Sequence, residues 1–377
     1  MPTSNSKTKF YLPILIFFIL LLLIIFNFTS KTFKKEPETI KIGAILPLTG
    51  PASSFGQYVK EGIDLALEEI NKKPNSRRLQ VIFEDSKGNP SDAISAYNKL
   101  VNIEKSFIII AALSSVASAI QPLATKTQTV QIYIDVVKPG VADGNWTFRF
   151  YPEVNQTAGL LAKFALSKGY RKAFILAIND AYGEASFFTF KRIIEEGGGI
   201  IIGNETYDVK QSDFRSIATK IKNYEKRIDV IYLNGYGSAF AQCLKQIREA
   251  GIQTPIVADV ALGLPENQLL AGDAAEGVYY VDISIPDFFR EKFKNKYGKD
   301  PSSDAAYSYD VLMILNSIIN DTQNSTVNVH LIRDYLRNLK DYQGVTGKIT
   351  MTPTGDAKLS FSIFQIKNKK PHLEYRE

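Results

Sequence analysis

Histidine and cysteine are nearly missing from this chain. Two histidines, His330 and His372, and one cysteine, Cys243, are spread through 377 residues. A single thiol forms no internal disulfide and no multi-thiolate metal site. Two histidines far apart in sequence leave a His-based catalytic triad or a His-rich metal centre almost no material. Cys243 lies in AFAQCLKQI, where Phe240, Leu244 and Ile247 share its helical spacing, the pattern of a buried packing thiol. No GxSxG nucleophile elbow occurs, and there is neither a low-complexity tract nor a short repeat. An excess of charge is also missing where it would matter. The formal charge is +6, but Lys7, Lys9, Lys31, Lys34 and Lys35 stand in the first 35 residues without an acid, and removing these five leaves +1 for the rest. A polyanion-binding body, and with it a nucleic-acid partner, therefore has no support.

What the chain has is apolar content, 45% of its residues, enough to bury a large core and more than one compact unit usually holds. Part of it is concentrated in FYLPILIFFILLLLIIFNF, residues 10–28, a run without a charge that is long enough to cross a bilayer core as a helix. A secretory signal has a shorter apolar centre and small residues at its cleavage point, whereas NFTSKTF offers no small-x-small site. No cysteine near the run's end provides a lipoprotein route. An uncleaved anchor is favoured over a cleaved signal, and residues 1–38 form this anchor or signal with its spacer. The lysines on both sides leave orientation open.

Beyond the spacer, short apolar runs alternate with helical patterns. KIGAIL at 41, LQVIFE at 79, FIIIAAL at 107 and VQIYID at 130 are nearly continuous, as parallel strands covered on both faces require. Phe55, Val59, Ile63, Leu67 and Ile70 mark one face of a helix between the first two. The alternation restarts with KAFILAI at 172, GIIIGNETY at 199, DVIYLN at 229 and PIVAD at 255. Two α/β lobes, each a doubly wound and mainly parallel sheet, are expected. From about Pro286 the pattern turns helical, with DFFREKFKNKYG, DAAYSYDVLMILNSIIN and VHLIRDYLRNL, and GKITM and KLSFSIFQI are expected to close the chain as a strand pair.

Ligands of open α/β sheets sit outside the carboxyl ends of the strands. ILPLTGPASSFGQYVKEG, residues 45–62, is such a place: Gly50 and Pro51 bend the chain, and Ser53 or Ser54 is expected to cap the helix that follows. The segment has neither the GxxxxGK[ST] nor the GxGxxG spacing of a nucleotide cradle.

Several stretches in order resemble the periplasmic binding proteins of the branched-chain amino acid (Leu/Ile/Val-binding) type, type I solute receptors of ABC importers. KIGAILPLTGPASSFGQYVKEGIDLALEEIN is similar to that family's opening strand, ligand loop and first helix. ALSSVASAIQPLA resembles its serine turn, and LKQIREAGIQTPIVAD and AGDAAEGVYY its late second-lobe signatures. The resemblance implies two lobes joined by a hinge, with 39–150 and 284–342 in the first and 151–283 and 343–377 in the second. It places Phe55 on the cleft wall, Ser114 at a carboxylate with Ser115 beside it among the ligand-binding residues, and Tyr182 and Tyr236 over the ligand. Where the family carries small and hydroxyl residues after its fourth strand, this chain has Val136, Val137 and Lys138, and Lys138 would attract an acid group. Asp259 matches the family's ammonium-pairing acid, with Val260 as the competing match.

The resemblance thus implies an extracytoplasmic binding protein rather than an enzyme. It would hold a small carboxylated molecule, an amino acid or an organic acid, with ABC permease subunits as partners, the N-terminal helix at the membrane, and no cofactor or metal. A sensor domain of the same fold is the alternative. A hydrolase using Ser114, Lys138 and Asp259 is disfavoured, because no histidine lies near any of them in sequence.

Overall fold

Runs such as IIIAA and VQIYI become strands because both of their faces are covered, and every residue of these two is buried. The computed structural model describes residues 17, 19, 39–73, 77–321 and 327–376. Its first sheet has the order β2-β1-β3-β4-β5 and is parallel throughout, from β1 (Thr39–Leu46), β2 (Arg78–Asp85), β3 (Ile108–Ala112), β4 (Val130–Ile134) and β5 (Thr147–Arg149). The second has the order β15-β14-β10-β9-β8-β6-β7, from β6 (Lys172–Ile178), β7 (Ile200–Tyr207), β8 (Val230–Leu233), β9 (Ile256–Ala258), β10 (Tyr279–Asp282), β14 (Ser362–Lys367) and β15 (Lys370–Arg376). It is parallel from β7 to β10, and β14 and β15 join antiparallel. The two-lobe α/β architecture expected from the sequence is therefore present.

Helices α1 (Ser53–Asn71), α2 (Pro90–Asn98) and α3 (Ser114–Thr127) connect the strands of the first lobe. In the second lobe, α4 (Val154–Ser167), α5 (Ala181–Glu196), α6 (Arg215–Tyr224), α7 (Gly237–Glu249) and α8 (Pro265–Ala271) do the same. The helical stretch after Pro286 forms α9 (Asp287–Tyr297), α10 (Ser303–Asp321) and α11 (Val329–Arg337), and α10 lies directly on α1. Gly62 permits that approach: a Cβ there would stand 2.1 Å from the carbonyl oxygen of Ala305.

Among the described residues the chain passes between the two large sheets after Arg149, after Asp282, and between Lys358 and Ser362. These crossings correct two expectations. GKITM and the strand inside KLSFSIFQI do not pair with each other. β11 (Tyr342–Gly344), β12 (Gly347–Met351) and β13 (Ala357–Lys358) form a separate antiparallel sheet, which meets the first large sheet through a bridge from Asp356 to Arg149. Only Ser362 onward enters the second sheet, so residues 343–358 side with the first lobe rather than the second. The reason is Arg149, fully buried, whose guanidinium holds both Glu153 and Asp356 and donates to the Lys138 carbonyl at 2.7 Å.

The helix α1 begins earlier than expected. Its N-cap is Ala52 and no side chain caps it, because a turn closed by the Ser53 N–H on the Gly50 carbonyl at 3.1 Å leads straight into the first helical turn. Among the described residues no helix is long and apolar enough to cross a membrane. The apolar run 10–28 lies outside the described residues except for Phe17 and Ile19.

Candidate functional site

The carboxyl ends of the parallel strands in both lobes open on one cavity of about 610 Å³. Pro51, Ala52 and Phe55 follow β1, Lys87 and Gly88 follow β2, Leu113 to Ser115 follow β3, and Asp135, Val137 and Lys138 follow β4. From the other side come Asp180 to Tyr182 after β6, Gly235 and Tyr236 after β8, and Val260 and Ala261 after β9. This is the position that strand topology assigns to a ligand in open α/β sheets.

Helix starts converge on the same space. Those of α1, α3 and α7 carry no side-chain cap and no acid in their first turn, so their positive dipole ends are not neutralised, although in α1 the Ser53 N–H is held by the Gly50 carbonyl. By contrast α5 is capped by Asp180, which accepts from the Gly183 N–H at 2.9 Å, and α2 by Asn89.

Ser114 is the first residue of α3. Its Oγ accepts the N–H groups of Val137 and Lys138, both at 3.2 Å, which fixes the turn after β4 and leaves its own hydrogen to be donated. Ser115 spends its hydroxyl on the Gly88 carbonyl at 3.0 Å, so it offers the cavity only its backbone. Lys138 reaches along the rim, its Nζ 3.1 Å from the Ser118 Oγ. Val136, beside it in sequence, is fully buried and points away from the cavity lining.

The aromatic wall is continuous. Tyr182 and Tyr236 stack with ring centroids 6.4 Å apart, and Phe55 meets Tyr236 edge-on at 6.5 Å across the cleft. Tyr236 donates to Asp180 Oδ2 at 2.7 Å and Tyr182 to Asp259 Oδ2 at 2.5 Å. These bonds hold both rings in place.

Seven of the residues proposed from the sequence, Phe55, Ser114, Ser115, Val137, Lys138, Tyr182 and Tyr236, line the cavity. Asp259 does not, and the expectation for it is corrected. It is buried behind Tyr182, and besides that hydroxyl it accepts Asn234 Nδ2 at 2.8 Å, the Gly235 N–H at 3.0 Å and the Ala261 N–H at 3.1 Å. Burial pushes its carboxyl up to about 6 against the pull of these donors. Val260 takes the wall position in its place. The set Ser114, Lys138 and Asp259 is accordingly not assembled around one point. Among the described residues no cluster of three histidine, cysteine, aspartate or glutamate side chains offers a metal site.

Sequence reasoning missed Asp135, Tyr151 and Asp180, all in the lining. A signal for Asp135 was present, since an acid ending an otherwise apolar parallel strand stands where ligands bind. Its backbone is left-handed, with φ of 54°, and its Oδ2 is closed off from solvent without a hydrogen-bond partner. Burial first, and the neighbouring Asp304 second, push its carboxyl well above the usual range, while Tyr151 opposes the shift.

The family model described as periplasmic binding protein matches residues 39–371. The chain is 26% identical over 349 residues to the Leu/Ile/Val-binding protein BraC3 of Rhizobium johnstonii, covering 86% of this chain and 91% of that one. The crystal structure of a leucine binding protein LivK from Thermotoga maritima superposes with a TM-score of 0.80 at 25% identity, covering 89% of this chain and 98% of that one. The substrate binding protein LivJ from Streptococcus pneumoniae, solved in complex with isoleucine, has the same fold, with a TM-score of 0.83 at 24% identity over 90% of this chain and all of that one.

Proposed function

The chain belongs to the periplasmic binding protein family, in its branched-chain amino acid type, and we propose that it is the extracytoplasmic solute receptor of an ABC importer, closing its two lobes on a small carboxylated molecule. The observation that carries the ligand class is the convergence of the uncapped starts of α1, α3 and α7 on one cavity, with Ser114 at the first turn of α3. Free N–H groups at helix starts are anion sites, and a carboxylate there would take the Ser114 hydroxyl as a further donor. Lys138 adds a positive charge on the rim. The wall of Phe55, Tyr236 and Tyr182 suits an apolar or aromatic side group.

Binding would order the lobes against each other across the three crossings, and the closed form would be the one an importer's permease reads. No feature of the cavity favours the sensor or hydrolase alternative. The reading is tested by a thermal-shift screen of the purified full-length chain against amino acids and small organic acids. A ligand at a hundred times its dissociation constant adds about 2.7 kcal/mol to stability. An upward shift with one acid class is expected, and a flat response to every acid would reject the reading. With the acid that shifts most, Ser114→Ala is expected to weaken binding by about 1–3 kcal/mol, the scale of a hydrogen bond to a charged group.

The location follows the same reading. Residues 10–28 would act as an uncleaved anchor that holds the folded body on the outer face of the cytoplasmic membrane, with cleavage and release as the alternative. Intact-mass measurement of the native product is expected to include residues 1–35. A mass beginning near Lys31 would show a removed signal instead.

A further inference from the structure

Resting on the reading of the chain as a receptor that closes two lobes on a solute, we propose that Tyr58, Glu266 and Lys299 form a latch outside the cavity, which holds the closed form and so raises the affinity for every solute by the same factor. None of the three lines the cavity. Tyr58 stands on α1 in the first lobe and Glu266 in the first turn of α8 in the second, and the Tyr58 hydroxyl donates to Glu266 Oε1 at 3.0 Å. Lys299, which follows α9 in the first lobe, brings its Nζ 2.9 Å from Glu61 Oε2, 4.0 Å from Glu266 Oε1 and 3.9 Å from the centre of the Tyr58 ring. One ammonium therefore lies between an acid of each lobe.

The latch is tied to the solute site through one helix. Phe55 and Tyr58, at i and i+3 of α1, share a face of it. Phe55 meets Tyr236 of the second lobe at the cavity wall, and Tyr58 meets Glu266 beyond it. Movement of α1 away from the second lobe breaks both contacts together. The Tyr58 ring is fully buried and stacks on Phe293 of α9 with centroids 6.1 Å apart, so it stays with the first lobe and does not follow Glu266. Burial first, and Glu266 second, push its hydroxyl well above the ordinary tyrosine range, so it remains a donor. Glu266, with a side chain 48% exposed, regains water when the lobes part, which limits the latch to about the strength of one hydrogen bond to a charged acceptor. Because the contact includes no solute atom, it shifts the balance of open and closed forms without favouring one solute over another.

The test is titration calorimetry and stopped-flow dissociation on the full-length chain and on Tyr58→Phe, Glu266→Gln and Glu266→Ala, with L-leucine, L-phenylalanine and benzoate as probes. Tyr58→Phe keeps the ring and its stack, and is expected to weaken each probe that binds by about 5–15-fold, the scale of that one hydrogen bond. The loss should appear as faster dissociation, with the ratio of affinities between probes unchanged. Glu266→Ala should lose at least as much, and Glu266→Gln, which keeps an acceptor oxygen, should recover part. Unchanged affinity in Tyr58→Phe and Glu266→Ala overturns the latch. So does a loss that differs between probes, because that would mean contact with the solute. Where no probe binds, small-angle scattering of the ligand-free chains decides: both variants are expected to be more expanded than the unsubstituted chain, and identical profiles overturn the latch. A flat thermal screen in that case rejects the cleft reading separately.

Discussion

Replacing Arg149 with alanine is expected to lower the unfolding free energy by about 3–5 kcal/mol, the range for breaking a buried ion pair from one side. The guanidinium is fully buried at the end of β5 and binds Glu153, Asp356 and the Lys138 carbonyl together. It therefore ties the small sheet, the start of α4 in the first crossing, and the turn that carries Lys138 into one assembly. Without it, Glu153 and Asp356, whose side chains are 26% and 23% exposed, recover part of their hydration, which places the loss toward the lower end of the range. Arg149→Lys keeps the charge but not the fork, and should recover only part of the stability. Urea unfolding with an unchanged m-value measures the effect. A loss below about 1 kcal/mol would be ordinary for a surface pair and would contradict the central role given to this side chain.

Asp310→Ala is expected to cost about 3 kcal/mol, because it strands several buried donors at once. Asp310 lies on α10 and accepts the Val345 N–H at 2.8 Å, the Thr346 N–H at 2.9 Å and the Thr346 hydroxyl at 2.6 Å. These bonds fasten the β11–β12 hairpin to the first lobe. The close approach is possible because residue 344 is glycine, where a Cβ would meet Asp310 Oδ2 at 2.3 Å. Asp310→Asn, which retains one acceptor oxygen, should lose less than the alanine variant. The fall in melting temperature for alanine should be roughly 4 °C in thermal unfolding of a chain this long. Equal losses in both variants would mean that the charge, not the accepted hydrogen bonds, holds the hairpin.

Much of this architecture was legible before the structure. Strands β3 and β4 were readable because strands covered on both faces are continuously apolar, and α1 because Phe55, Val59 and Ile63 repeat at helical spacing and are all buried. The third large-sheet connection was not. β5 is three residues long and ends in Arg149, a residue type that pattern reading assigns to the surface, yet its burial is what brings residues 343–358 to the first lobe. The serines at 53 and 54 resemble caps, but capping depends on the backbone before them, and the turn from Gly50 starts the helix one residue sooner.

The candidate site was legible in its serines and tyrosines and not in its acids. Both Asp135 and Asp259 follow the end of a parallel strand, so spacing alone does not separate them. Backbone geometry does. Asp259 caps the short turn after β9 and spends itself on four donors, while the left-handed φ of Asp135 leaves its side chain on the cavity floor with an oxygen unpaired.

The most direct measurement of the central claim compares, by calorimetric titration of the full-length chain, the acid that gives the largest thermal shift with its own primary amide. The amide has the same shape but lacks the charge and offers one acceptor oxygen and an NH2 donor in place of two acceptor oxygens to the starts of α1, α3 and α7. The account predicts one-to-one binding of the acid and a loss of affinity of about 100-fold or more for the amide, as expected when a charged acceptor is removed from helix N-termini and a serine donor. An amide that binds as tightly as the acid would contradict it.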